Sequence, residues 1–259
     1  MEWIEKMTAK SSRIASTPYF IRDGYHINKR AKKTPYLCNE DDASYFQVDV
    51  YHFAKVLIVE KNIRSVLDIG CGFGNKLREL IMPVCKDITG IDSQYCIDHC
   101  KRTHQFGTWI VDDIENSHVH LPRVFDLILC ADVIEHLLEP NNLLDYIRRC
   151  SDSRTLIVLS TPERDKVAGG RTMGPPVNPA HVREWNASEF HNYVEWAGFE
   201  IIDHHLVRGN KLKISRLVRD SLGFLFRGRP LDAAYRVLSE FSKSTQVVLC
   251  RIIQTGHRS

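Results

Sequence analysis

The sequence predicts an α/β fold, a mostly parallel sheet covered on both faces by helices. Strand-like and helix-like stretches alternate along most of the chain, the pattern of successive βαβ units. Residues 124–130 and 155–160 are nearly continuous apolar runs, as strands buried on both faces must be. The third observation is a short β-branched apolar run, Ser65 to Ile69, that ends in a glycine-dense turn and continues into a helical stretch. Strand, glycine loop and helix open a nucleotide-binding βαβ unit.

Residues 1–43 are polar and irregular, with a short basic stretch at 29–33, and form an N-terminal lead before a domain expected at 44–259. Phe46, Val50, Phe53, Val56, Leu57 and Val59 have mainly helical spacing and are expected to cover one face of the first strand. Strands are expected at 65–69, 87–92, 107–111, 125–130 and 155–160, and helices at 75–82, 94–104, 140–150 and 187–197. After Gly198, residues 199–207 read as a sixth strand and 244–253 as a seventh.

Between the last two strands lies a basic insertion at about 208–243. It holds Arg208, Lys211, Lys213, Arg216, Arg219, Arg227, Arg229 and Arg236, with Leu217, Phe224, Leu225 and Phe226 interleaved. Such a segment suits a membrane surface, a nucleic acid or a phosphorylated substrate. The plainer reading is a helical cap or homodimer contact with its arginines in water.

A chain of 259 residues with 43% hydrophobic content can bury a full core and suits one large domain. A formal charge of +3 neither demands nor excludes an anionic partner. Eight cysteines are scattered without a CxxC pair, no secretory leader is visible, and no uncharged run approaches the roughly 18 residues of a membrane span. A cytoplasmic protein with free thiols and no transmembrane segment is expected. Cys96 and Cys100 with His99 and His104 admit a metal, or more simply buried thiols and solvated histidines.

Asp68 selects the ligand. A carboxylate two residues before the first glycine would repel the pyrophosphate that dinucleotide-binding loops receive. It suits a cationic amine and sulfonium, which S-adenosylmethionine carries. Asp92, at the end of the next apolar run, is placed for a ribose diol.

Val66-Leu-Asp-Ile-Gly-Cys-Gly-Phe-Gly74 resembles the first motif of class I S-adenosylmethionine-dependent methyltransferases. Gly90-Ile-Asp92 resembles their second motif, residues 111–115 their adenine-contacting segment, and residues 125–137 their fourth-strand motif. The resemblance implies a Rossmann-like seven-stranded sheet of order 3-2-1-4-5-7-6 with the last strand antiparallel. It places Asp68 near the methionine amine, Gly70, Gly72 and Gly74 where the backbone approaches closely, and Asp92 on the ribose hydroxyls. Asp113 would take the adenine amino group, in preference to Asp112, with Ile114 supplying an amide and an apolar face. In the family the segment before the domain often lies over the active-site mouth, so Tyr19, Tyr25, His26 and Tyr36 are candidate lid or substrate contacts.

Methyl transfer to oxygen or nitrogen is an in-line displacement that usually needs a base for the acceptor's proton. Candidates are Asp132, Glu135 and His136 after the fourth strand and His181 after the fifth; histidine titrates in the right range. Asp132 is expected to cap a helix start and to face the cofactor. The four side chains together also form a reasonable Mg2+ or Mn2+ site, and a metal there would lower the pKa of an acceptor hydroxyl.

This quartet resembles the Glu-x-x-Glu-His plus distant-His arrangement of small-RNA 2′-O-methyltransferases, although Asp132 departs from its first Glu. The Val-Ile-Glu-His core also occurs in ubiquinone-biosynthesis and sugar O-methyltransferases. The Gly- and Pro-rich loop 161–180 is long enough to be a lid over a small acceptor. No Asn-Pro-Pro-Tyr, Asp-Pro-Pro-Tyr or Pro-Cys motif occurs, against adenine, glutamine and cytosine-carbon methylation. The expected function is O-methylation of a small polar metabolite such as a sugar or glycan precursor. The alternatives are metal-assisted RNA ribose 2′-O-methylation and a non-catalytic S-adenosylmethionine-binding partner module.

Overall fold

The computed structural model describes residues 18–31, 46–117, 119–169, 172–209 and 243–253. Tyr36 and most of the basic insertion, residues 210–242, lie outside the described residues.

Seven strands form one sheet: β1 (Ser65–Ile69), β2 (Asp87–Asp92), β3 (Thr108–Val111), β4 (Leu127–Ala131), β5 (Leu156–Pro162), β6 (Phe199–Arg208) and β7 (Lys243–Ile252). Their order is 3-2-1-4-5-7-6, as the resemblance implies. β1 pairs in parallel with both β2 and β4, and β4 with β5, whereas β7 runs antiparallel between β5 and β6. The order therefore reverses between β1 and β4, which opens a crevice beyond their carboxyl ends.

Alternation along each strand splits the core in two. Leu67, Ile69, Ile128, Cys130, Ile157, Leu159 and Val248 face α3 (Pro140–Arg149) and α5 (Ala187–Trp196), meeting Leu143, Ile147, Phe190 and Tyr193. Val66, Leu127, Leu129, Val158, Val247 and Leu249 face α1 (Val48–Lys61) and α2 (Gln94–Thr103) on the other side. Each fully buried side chain of this kind stabilises by about 1.5–3 kcal/mol.

The buried stripe of α1 is Val50, Tyr51, Ala54, Leu57 and Ile58, the true 3.6-residue spacing. Val56 and Val59, expected inside, are 51% and 64% exposed. The helix after the glycine loop is wound more loosely than expected. Over Leu77–Ile81 it is a π-type turn, closed by Met82 N–H donating to Leu77 O at 2.8 Å. Loop 161–180 also carries structure: β5 runs to Pro162 and a short helix, α4 (Arg164–Val167), follows.

The start of α5 is set by a capping box between Asn186 and Glu189. Glu189 also pairs with the buried Arg164 guanidinium (Nη1–Oε2 2.6 Å) and accepts the backbone N–H of Arg22 at 3.0 Å. Residues 18–31 thus lie as a strap along the segment 173–185. His26 N–H reaches Met173 O (3.1 Å), Asn28 N–H reaches Val182 O (2.8 Å), and Trp185 Nε1–H reaches Tyr19 O (2.9 Å). No helix among the described residues is long and apolar enough to cross a membrane.

Candidate active site

One cavity of about 910 Å³ opens at the carboxyl ends of the strands. Gly70 and Gly72 after β1, Asp92 and Ser93 after β2, Asp112–Ile114 after β3 and Asp132–Leu137 after β4 line it from one end to the other. Pro162, Val167, Asn178, His181, Gly209, Ser244 and Thr245 complete the far side. The volume is at the upper end for small-molecule sites.

At the first end the loop is held by its acid. Asp92 Oδ2 accepts the Gly72 N–H at 2.8 Å and its Oδ1 accepts the Ser93 N–H at 2.7 Å. Gly70 has φ +80°, and a β-carbon there would lie 2.3 Å from Val133 Cγ2, so any side chain would strain the backbone and force Val133 to move. Gly74 does not line the cavity; a β-carbon there would strike Trp109 Cη2 at 2.8 Å, so this glycine serves packing behind the loop.

Asp68 is also not in the lining. It is fully buried, with Oδ2 accepting the Tyr51 hydroxyl at 2.8 Å and Oδ1 lacking a hydrogen-bond partner among the described residues. Burial pushes its carboxyl up to about 7, although the Tyr51 hydrogen bond and Lys76 pull the other way. Tyr51 escaped the sequence reading, because nothing in a helical apolar stripe marks one aromatic as a hydroxyl donor.

Asp112, Asp113 and Ile114 all line the cavity. The Asp113 carboxylate is turned back on its own chain, accepting Glu115 N–H at 3.1 Å and Asn116 Nδ2–H at 2.9 Å. Nearby, Cys96 and Cys100 are buried, as the plainer reading required. His104 is buried too rather than solvated, with Nε2 donating to Phe73 O at 2.8 Å, and His99 stacks on Phe73.

The far end holds the candidate catalytic groups. Asp132 does not cap a helix. It takes a left-handed φ of +54°, and its Oδ1 accepts the Ser160 hydroxyl at 2.6 Å. The turn that follows, Ile134–His136, is a single 3-10 turn that begins after Asp132, and the left-handed backbone at Asp132 sends its carboxylate to Ser160. Glu135 is fully buried: Oε2 accepts Thr161 Oγ1–H at 3.0 Å, and Oε1 has no hydrogen-bond partner among the described residues. Burial, reinforced by Asp132, raises its carboxyl well above the usual range.

His136 Nδ1 lies 3.0 Å from Ala180 O, so Nδ1 carries the proton and the lone pair is on Nε2. Burial, helped by His181, pushes this imidazole down to about 4. The His181 ring stands edge-on to it at 4.8 Å, with Nε2 4.0 Å from Glu135 Oε1. One ligand atom each from Glu135, His136 and His181 falls within 4.8 Å of the others, a cluster that could hold a cation once its side chains draw closer. Of the expected metal quartet the structure thus brings together three. Asp132 is outside that group because its backbone turns it toward Ser160.

Tyr19, Tyr25 and His26 do not line the cavity. They brace the His181 segment from behind, while Phe46 and Gln47, just before α1, take places in the wall.

The sequence profile described as "Methyltransferase domain" matches residues 28–204, more than half of the chain. A probable S-adenosylmethionine-dependent methyltransferase of Mycolicibacterium smegmatis is 32% identical over 144 residues, 54% of this chain and 53% of that protein. A ubiquinone biosynthesis O-methyltransferase of Proteus mirabilis is 28% identical over 110 residues, 40% of this chain and 44% of that one. The matches thus span about half the length of these relatives. Among solved structures, the plantazolicin methyltransferase BamL, bound to a triazolic desmethylPZN analog and SAH, shares the fold. Its TM-score is 0.55 at 18% identity, over 79% of this chain and 84% of that one. With the profile match extending across the glycine loop, Asp92 and the imidazole pair, the chain belongs to the methyltransferase-domain family.

Proposed function

We propose that this chain transfers a methyl group from S-adenosylmethionine to a hydroxyl of a small polar acceptor, such as a sugar or glycan precursor. The observation that carries this is the continuity of one cavity from the glycine loop and Asp92 to His136 and His181. Its lining acids, Asp92, Asp112, Asp113, Asp132 and Glu135, face a single lysine among the described residues, Lys76, which favours a cationic ligand over a pyrophosphate.

S-adenosylmethionine supplies an electrophilic methyl carbon on a sulfonium. The protein's part is to bind and align. Asp92 holds the glycine loop and offers carboxylate oxygens to a diol, and the Asp112–Ile114 segment walls the adenine end. Asp68 stands behind the loop as a buried carboxyl whose ionised form attracts the amine. His136 and His181 lie where an acceptor hydroxyl would give up its proton, with Glu135 beside them. Gln47, Asn178, Ser244 and Thr245 give the far wall polar groups suited to a hydroxylated acceptor.

A second reading rests on the unpartnered Glu135 Oε1 beside two imidazoles. The donor set of one carboxylate and two imidazoles fits a divalent ion such as Mn2+ better than Mg2+. A cation there would acidify a bound hydroxyl, including an RNA ribose 2′-OH.

Calorimetric titration with S-adenosylhomocysteine, with and without Mn2+ or Mg2+, separates the two. Cofactor binding without a cation signal, together with methyl transfer to a hydroxylated sugar, supports the first reading. A cation site lost in Glu135→Ala and His181→Ala makes the metal-assisted reaction the correct one. Absence of any S-adenosylhomocysteine binding overturns both.

A further inference from the structure

The tautomer of His181 is constrained on both sides of its ring. Asn178 Oδ1 accepts the backbone N–H of Ala180 at 3.0 Å, which fixes the side-chain amide with Nδ2 turned toward His181. That Nδ2 lies 2.9 Å from His181 Nε2. An amide nitrogen only donates, so Nε2 must present a lone pair. On the other edge, His181 Nδ1 is 2.6 Å from Oε1 of Glu184, a side chain 2% exposed. A neutral imidazole with its lone pair on Nε2 carries its proton on Nδ1, where the Glu184 carboxylate accepts it. Two independent contacts require the same tautomer.

We infer that Glu184 is a positioning residue that holds His181 as the Nδ1–H tautomer, with the Nε2 lone pair on the cavity side, where the Asn178 Nδ2–H meets it. Glu184 is itself clamped by its backbone. Its N–H donates to Tyr25 Oη at 3.1 Å, and its carbonyl accepts from the buried Arg164 Nη1 at 3.1 Å. The strap 18–31 therefore reaches the chemistry indirectly, through Tyr25, Glu184 and His181. Asn178 lines the cavity and occupies the lone pair that an acceptor would use. An incoming hydroxyl takes the place of the Asn178 N–H and donates to Nε2, the geometry for passing its proton to the ring. An imidazole oriented by a carboxylate on its far nitrogen is a general means of preparing a base or a ligand.

This inference rests on the proposed reaction for the use made of His181, but the tautomer is a property of the resting protein. It is read by long-range 1H–15N correlation on 15N-histidine-labelled protein, with His181 assigned through loss of its signals in His181→Gln. In the wild type, Nδ1 is expected in the protonated range and Nε2 in the unprotonated range. Glu184→Gln keeps the size, yet its amide can turn an NH2 toward Nδ1. The ratio of Nε2–H to Nδ1–H forms should then rise at least tenfold, while S-adenosylhomocysteine affinity stays within threefold.

Asn178→Ala, on an exposed loop, should leave the proton on Nδ1. A wild-type proton on Nε2, an unchanged ratio in Glu184→Gln, or a tautomer switch in Asn178→Ala overturns the inference. Failure of the wild type to bind S-adenosylhomocysteine would sink the proposed reaction and leave the tautomer result standing.

Discussion

Asp68→Asn is predicted to make the protein more stable above neutral pH while weakening its hold on the cofactor. The carboxyl is fully buried and raised to about 7 from an ordinary 3.8. Burial is the first cause, and the Tyr51 hydroxyl offsets only part of it. An acid whose folded pKa lies above its unfolded one binds more protons when folded, so stability falls as pH rises through the interval between them. The full separation corresponds to about 4 kcal/mol lost above pH 7, of which roughly 3 kcal/mol accrues between pH 5 and pH 8.

The variant keeps an acceptor for Tyr51 and has no charge to desolvate. Whatever its offset at pH 5, where an unpartnered amide costs about 1–3 kcal/mol, the difference must widen in its favour by roughly 3 kcal/mol by pH 8. Urea unfolding of the cofactor-free proteins at both pH values measures this. A wild-type-to-variant difference constant to within about 1 kcal/mol would refute the reasoning, since even a tenfold difference in proton affinity between the folded and unfolded chain is worth about 1.4 kcal/mol. In parallel, S-adenosylhomocysteine should bind the wild type more tightly as pH rises through about 7, because the carboxylate form attracts its amine. The variant should bind weakly at every pH. The chain would then be keeping a charge that destabilises its fold because the ligand needs it.

Three further outcomes follow from the geometry. Asp92→Ala removes the acceptor for the Gly72 and Ser93 amides; calorimetry should show at least a tenfold loss of S-adenosylhomocysteine affinity, on the order of 1.4 kcal/mol or more. Gly70→Ala combines a left-handed residue, about 1–2 kcal/mol, with the contact on Val133. Adding Val133→Ala should recover the contact part and leave the backbone part, as read by thermal unfolding of the single and double variants. Glu189→Ala removes the buried carboxylate from the Arg164 guanidinium, leaving only the 3.6 Å carboxylate contact with the more exposed Asp165, and should cost about 3–5 kcal/mol in urea denaturation; a loss below about 1 kcal/mol would show that the Glu189 pair is not what holds α5 to the end of β5.

Much of the sheet was legible because its signals are local. β1 and β2 coincide with the expected residues, and the other strands shift by one or two positions at their ends. Apolar runs, glycine turns and helical spacing all act over a few residues, so a chain read in order displays them. In α1, by contrast, Val56 and Val59 were expected inside although the helix turns them outward. An apolar side chain does not reveal which face it takes when Tyr51 can be buried in its place.

The site was legible as a set of residues but less so as a geometry. Glu135, His136 and His181 were named together and do meet. Asp132 was grouped with them as the expected cap of a helix start, and its left-handed backbone sends it to Ser160 instead. Gly74 was assigned to the ligand side of its loop, yet its hydrogen is required by Trp109, far along the chain. Glu184 carried a faint signal, a carboxylate three residues after a histidine. That spacing acquires meaning only where the two side chains are seen to bond.

The sequence by itself determined the order of strands and helices, the glycine loop and the inventory of acids and imidazoles, because propensity, periodicity and turn chemistry are properties of short segments. The tertiary structure alone decided which of those groups are desolvated and which nitrogen or oxygen each one presents. Tyr51 beneath Asp68, Ser160 on Asp132 and Tyr25 behind Glu184 all join distant parts of the chain. Burial and hydrogen-bond direction depend on everything packed around a group, and that information exists only once the sheet has closed.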